Sequence, residues 1–324
     1  MQSAGSVSPI RRFWEENMKL VTTTADMRRF TSSRSIAAPI PFYAETGFRH
    51  LDLSFYQIIY PNSPWLLPGD GWKKEVEECR KAAETYGFDF CQAHSPDGEH
   101  FTPGEDRDAL LLATERSIEA CGMLGIPHTV MHAGRIKDDP AKFYSENIAF
   151  YKRFENVAER SNVNLLVENN CEKWAPGYLL RTGKELAEFI QMANIPRLHI
   201  CWDTGHASVQ GCDQYHDILA MGKDLHALHI QDNFGNADSH MMPMLGCINF
   251  DRVMQGLIEI GYKGDFTFEA DSTLRMTDGW PHYRKDVQPE DRLGKAPLEI
   301  QKKQEAVMWE IGKWMLGSYG IEAE

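Results

Sequence analysis

Short apolar runs recur along the chain, and a longer amphipathic segment follows almost every one. The runs are KLVTTT from Lys19, FRHLDLSF from Phe48, DFCQAH from Asp89, HTVMHAG from His128, NVNLLVEN from Asn162, LHICWDTG from Leu198, LHALHIQD from Leu225 and DFTFEA from Asp265. Runs of this length, rich in Val, Ile, Leu and Phe, predict buried strands. Between them lie segments of helical composition: WKKEVEECRKAAETYG, DALLLATERSIEACGMLG, AKFYSENIAFYKRFENVAERS, GKELAEFIQMA and FDRVMQGLIEIG. A last one, PLEIQKKQEAVMWEIGKWMLGSYG, follows the eighth run. Gly87, Gly125 and Gly261 stand where a helix C-terminus is expected.

Strands alternating with helices predict βαβ units and a parallel sheet. Eight units without a Gly-rich phosphate loop after the first strand favour a closed (β/α)8 TIM barrel of the α/β class over an open doubly wound sheet. The expected organisation is an N-terminal extension over residues 1–17 and a single barrel domain over 18–324. The first unit is the least regular, because SSRSIAAPIPFYAETG is a poor helix until about Pro41. Two connections are long: SFYQIIYPNSPWLLPGDGW after the second strand and DSTLRMTDGWPHYRKDVQPEDRLGK after the eighth. Both would lie at the C-terminal mouth of such a barrel. Their content of Trp, Tyr, Pro and Gly reads as walls or lids, and Trp65, Trp72, Trp174 and Trp280 suit stacking on a sugar or an aglycone.

Composition narrows the function. With 42% hydrophobic residues the chain can bury a large core. It has no run of about 18 apolar residues that would span a membrane. The segment MQSAGSVSPIRRFWEENMKL lacks the apolar centre of a signal peptide. A net charge of -13 argues against nucleic-acid or anionic-membrane partners. Seven cysteines without a CxxC pair read as small buried hydrophobes in a reducing cytoplasm, not as a disulfide framework.

The candidate chemistry lies at the strand ends. The third to eighth strands finish in His94, His132, Glu168, Asp203, His229 and Glu269, followed by His206, Asp238 and His240. Any one of these could be a hydrogen-bonded structural residue, and Asp203 could cap the next helix. Three carboxylates converging on one mouth are costly to bury without a cation. No strand end supplies Lys or Arg, so a divalent metal is the economical counter-ion. Three carboxylates and one imidazole suit Mn²⁺ or Mg²⁺ with Co²⁺ tolerated, and further imidazoles would favour Zn²⁺.

The ordered segments VENN, CWDTGHA, LHIQDN and FEAD, one per unit, resemble the xylose-isomerase-like barrel superfamily from about Lys19 to Gly320. That group includes sugar isomerases, ketose 3-epimerases, inosose dehydratases and endonuclease IV-type nucleases. The resemblance implies one metal held by Glu168, Asp203, His229 and Glu269. It implies Glu168 and Glu269 as an acid/base pair beside a carbonyl, aided by His132. His94, His206, Asp238 and His240 would bind substrate, a small sugar or polyol, in a homo-oligomer.

Two alternatives stay open. One is elimination from a keto-inositol or 3-keto-glycoside, as in C-glycoside deglycosidases. The other is zinc phosphodiester hydrolysis, since all nine nuclease-type ligands have counterparts here. Against hydrolysis, Gly205 stands where nucleases usually have Cys, and no Arg-rich stretch follows the seventh strand. The best-known epimerase signature is also missing after Glu168, where the chain reads ENNCEKWAPG, and PMLGCIN replaces the commoner PGxGxID.

Overall fold

A computed structural model describes residues 17–274 and 296–324. Residues 1–16 of the expected extension, and most of the connection after the eighth strand including Trp280, lie outside the described residues. The strands are β1 (Leu20–Thr23), β2 (His50–Ser54), β3 (Asp89–His94), β4 (His128–Met131), β5 (Asn164–Glu168), β6 (Leu198–Asp203), β7 (Leu225–His229) and β8 (Phe266–Phe268). Each falls within the apolar run expected for it. They pair in parallel in the order β7-β6-β5-β4-β3-β2-β1-β8. The ring closes just past the end of β7, where Ile230 N–H donates to the Thr267 carbonyl at 2.7 Å and Glu269 N–H donates to the Ile230 carbonyl at 3.1 Å. The molecule is a (β/α)8 barrel.

The outer layer holds the helices Lys73–Tyr86, Glu105–Leu124, Gly183–Ala193, Phe250–Ile260 and Leu298–Ser318. Gly87 and Gly125 end two of them at φ of 73° and 74°, a left-handed conformation that glycine adopts without steric cost. Two departures from the sequence pattern stand out, and the first unit is as irregular as expected. The helical segment after β4 is broken at Phe154 into Pro140–Arg153 and Glu155–Ser161. The first unit contains only the single turn Ala25–Arg28 and the 3-10 turn Ile40–Tyr43. Two short helices, Thr204–Gln210 and Gln214–Met221, fill the β6–β7 connection.

Strand periodicity builds the site. Val130, Leu166, Cys201 and Ala227 form a small buried cluster of their own, separate from the main core between strands and helices. Two residues further along each strand the same face is presented again. Those positions are His132, Glu168, Asp203 and His229. The apolar layer inside the barrel is thus the floor on which the ionisable groups stand. A register shift between Ile200 and Cys201 brings Asp203 opposite His229.

The connection after β2 is not a lid. Trp65 and Trp72 are buried, with ring centroids 5.3 Å apart, and Trp65 Nε1–H donates to Glu75 at 3.1 Å. Their hydrophobic area went into the core, which leaves Tyr56 and Gln57 of that connection to reach the cavity at the mouth.

Candidate active site

A cavity of about 560 Å³ opens at the C-terminal ends of the strands. Glu168, Glu269, His94, His132, His206, Asp238 and His240 all line it. Asp203 and His229 lie beneath, fully buried. All nine residues singled out by sequence therefore converge on one place.

They form three groups, two of which share Glu168. One donor atom from each of Glu168, Asp203, His229 and Glu269 lies within 4.8 Å of the others. His94, His132 and Glu168 meet the same limit, as do His206, Asp238 and His240. Within the first group, His229 Nδ1 lies 2.9 Å from Glu168 Oε1 and 3.2 Å from Glu269 Oε2. The other Glu168 oxygen is 3.7 Å from both His94 Nε2 and His132 Nε2.

Local hydrogen bonds fix which nitrogen each ring presents. His94 Nδ1–H donates to the Ser95 carbonyl at 2.8 Å, and His206 Nδ1–H to the Asn169 carbonyl at 2.9 Å. His240 Nδ1–H donates to the Glu269 carbonyl at 3.1 Å. In all three the Nε2 faces inward, as an imidazole ligand or substrate contact requires. His229 is reversed, because its Nε2 meets the Gln92 amide at 2.9 Å. Asp203 also caps the helix Thr204–Gln210, accepting from the His206 N–H at 2.6 Å, so the cap reading and the site reading are both met.

The electrostatics describe a site in which buried carboxylates and imidazoles shift one another strongly. Burial pushes the Asp203 and Glu269 carboxyls up. Burial would do the same to Glu168, but His229 and His132 hold it well below the usual carboxylate range. Burial opposes charge on His229 too, yet Glu269 and Glu168 push its pKa up to about 10. His132 goes the other way, pushed by burial down to about 4. Burial likewise opposes charge on His94, His206 and His240, yet the carboxylates beside them raise all three, so several imidazoles share the counter-charge with His229. Glu168 Oε2 is buried without a hydrogen-bond partner. Three carboxylates and an imidazole with an unsatisfied oxygen match the donor set of a divalent cation.

Several participants were not among the nine. Gln92 precedes His94 by two residues, and Gln231 follows His229 by two, so each shares its neighbour's face. Gln231 Nε2–H donates to Asp238 Oδ1 at 2.7 Å and reaches both Asp203 oxygens at 3.3 Å. Gly205 makes room for it, since a Cβ there would lie 2.1 Å from the Gln231 side chain. Asp52 sits 3.8 Å from His229 Nε2. Tyr178 OH donates to the Glu168 carbonyl at 2.6 Å and accepts from Ala133 N–H at 3.1 Å, tying β4 to β5 beside the cavity. Period 2 would have found the two glutamines, whereas Tyr178 comes from a loop with no such signal. Trp174 lines the cavity as expected.

The family model described as "Xylose isomerase-like TIM barrel" matches residues 42–291. Among characterised and uncharacterised relatives, the chain is 27% identical over 159 residues to the uncharacterised protein y4fM of Sinorhizobium fredii, covering 47% of this chain and 50% of that one. It is 31% identical over 123 residues to a ketose 3-epimerase of Arthrobacter globiformis, covering 36% and 39%. It is 29% identical over 146 residues to a probable endonuclease 4 of Citrifermentans bemidjiense, covering 40% and 50%. These matches span about half the length of the relatives or less.

Solved structures share the fold along nearly the whole chain. A D-tagatose 3-epimerase-like protein superposes with a TM-score of 0.70 at 18% identity, covering 93% of this chain and 98% of that one. A 3-keto-D-glucoside 4-epimerase from E. coli gives 0.65 at 15%, covering 91% and 99%. The IOLI protein, solved with a zinc atom, gives 0.66 at 14%, covering 93% and 99%. With the eight-stranded ring, the acidic mouth and a family match over most of its length, the chain belongs to the xylose isomerase-like TIM barrel family.

Proposed function

We propose that this protein is a divalent-metal-dependent sugar isomerase or epimerase that moves a proton beside a carbonyl of a keto sugar or polyol. The observation that carries the reading is the convergence of Glu168, Asp203, His229 and Glu269 at the floor of the cavity. These four would hold the cation, Mn²⁺ first, with Mg²⁺, Co²⁺ or Zn²⁺ as substitutes. When bound, it supplies Lewis-acid polarisation of the substrate carbonyl. Glu168 and Glu269 stand three strands apart around the ring and both line the cavity. One removes the proton α to the carbonyl, and the C–H electron pair moves into an enediolate. The other returns a proton to the opposite face for epimerisation, or to the neighbouring carbon for isomerisation. His94, His206, Asp238 and His240 bind substrate hydroxyls, and neutral His132 is free to accept or relay a proton. The similarity to a ketose 3-epimerase supports this reading.

The test is solvent deuterium incorporation into a panel of ketoses and keto-inositols after chelation and metal add-back. Exchange that returns with the metal is expected. No exchange with any substrate at saturating metal would overturn the proposal. Release of a β-hydroxyl or an aglycone in the same assay would move the reaction to the dehydratase or lyase class. Homo-oligomer assembly is part of the proposal and is checked by light scattering.

A second reading, zinc phosphodiester hydrolysis at abasic nucleic acid, is favoured by the His94–His132–Glu168 and His206–Asp238–His240 groups and by the endonuclease relative. Three zinc ions per chain and nicking of an abasic duplex would establish it. One ion and no nicking would exclude it. The net charge of -13 argues for the sugar reading.

A further inference from the structure

Beside the main cavity lies a second one of about 420 Å³, and the two share Ala25, Arg28, Gln57 and Asp271 in their walls. Its character is the reverse of the acidic mouth. Arg28, Arg29 and Arg34 all line it, as do the hydroxyl-bearing Thr31, Ser32 and Ser33. Three guanidiniums within seven residues stand out in a chain whose net charge is -13.

The segment is built rather than frayed. Arg28 Nη2–H donates to the Arg34 carbonyl at 2.9 Å, which closes the loop on itself. Thr31 Oγ1–H reaches the Arg28 and Ser33 carbonyls at 2.9 and 2.8 Å. The Arg34 guanidinium sits 4.8 Å over the Tyr60 ring, and Arg29 Nη2–H donates to Gln301 Oε1 at 2.5 Å. Neither Arg28 nor Arg34 has a carboxylate within 4.0 Å among the described residues.

Burial lowers the Arg28 pKa even though Glu75 and Tyr60 pull it upward, and Arg34 adds to the lowering. Of the two acids in the wall, Asp26 is buried, and its burial beside Glu305 pushes its pKa well above the usual carboxylate range. Asp271, at the junction of the two cavities, is the other.

We propose that this arginine-lined cavity is an anion subsite, and that the substrate carries an anionic substituent, phosphate or carboxylate, which docks there while its carbonyl end lies in the acidic mouth. Arginine forks match both anions, and charge-assisted contacts of this kind are among the stronger hydrogen bonds. A phosphorylated sugar needs no glycine loop here, because side chains supply the donors that backbone amides supply elsewhere. The assignment of the anion to a substrate rests on the sugar reading above, whereas the anion site itself does not.

The experiment titrates inorganic phosphate, and separately acetate, into the purified full-length protein by calorimetry, with Arg34→Ala and Arg34→Lys alongside. Arg34 is exposed, so both variants are expected to fold, and circular dichroism checks this. Saturable binding that Arg34→Ala weakens about 10-fold or more, with Arg34→Lys intermediate, is expected. Preference for phosphate over acetate points to a sugar phosphate, and the reverse points to a sugar acid.

Binding that is absent, or equal in the folded Arg34→Ala variant and the parent, overturns the subsite. Deuterium exchange of neutral ketoses, run in parallel, separates the two ideas. Exchange without Arg34-dependent anion binding sinks only the subsite. Arg34-dependent binding without exchange on neutral, phosphorylated or acidic ketoses sinks the proton-transfer reading and leaves an anion site.

Discussion

Glu168 touches more of this site than any other residue, sharing oxygens with His229, His94 and His132. Glu168→Gln keeps the shape and removes the charge, so it is expected to abolish both cation binding and proton exchange, measured by metal analysis and by deuterium uptake. Gln92 acts one step further out, through the 2.9 Å contact that sets the His229 ring. Gln92→Leu is expected to weaken the cation about 10- to 100-fold in a chelator competition, the usual cost of losing such a partner. A normal affinity in that variant would show that the ring is held by packing alone. Gly205 works by what it lacks. Gly205→Cys would push Gln231 off Asp203 and Asp238, and lower turnover is expected with the barrel still folded.

At the scale of the element, the ends of the strands do different work. The C-terminal ends carry the acids, and the opposite ends of β4, β6 and β7 carry His128, His199 and His226. The His199 and His226 rings stack at 3.7 Å, with His128 edge-on at 5.8 Å from His226. Burial pushes His128 and His199 down to about 4, and lowers His226 as well. Asp224 and Arg197 are the charged groups acting on this stack, and Asp224 offsets little of the shift. Depressed folded-state values mean that protonation favours the unfolded chain. The stack is therefore neutral in its effect above about pH 6.5, and stability falls as the pH drops from there towards 4. Urea midpoints at pH 7 and pH 4.5 test this, and His199→Gln is expected to flatten the difference. The connection after β2 is the other element to probe. Trp65→Ala opens a cavity in the core and is expected to cost about 3–5 kcal/mol in urea unfolding. A loss below ~1 kcal/mol would mean that this segment is a surface lid after all.

For the whole molecule, the four proposed ligands come from four strands, so only the closed ring assembles them. A cation that binds the folded chain alone raises its melting temperature with concentration. Chelation is expected to lower the midpoint and Mn²⁺ to restore it, read by thermal unfolding, and Glu168→Gln should be insensitive to both. An equal shift in that variant would place the stabilising ion elsewhere.

How much of this was legible beforehand follows from where the physics is local. Period-2 faces and buried apolar runs are properties of a few adjacent residues, so the eight strands and the nine ionisable residues at the mouth could be read from the chain. The helix-ending glycines were legible for the same reason, since a left-handed cap depends on one residue. Trp65 and Trp72 were misjudged because an aromatic side chain suits a cavity wall and a core equally, and only the neighbours Phe55 and Glu75 settle which. The thin first unit was legible in the poor helix pattern of SSRSIAAPIPFYAETG, whereas the break at Phe154 is a matter of how helices wrap the ring, which no local pattern records. Gln92, Asp52 and Tyr178 matter only because distant strands bring them beside His229 and Glu168. Sequence alone determined which side chains each strand end would offer. Closure of the ring decided which of them meet, because distance between strands is set by tertiary packing and not by the chain's own repeat.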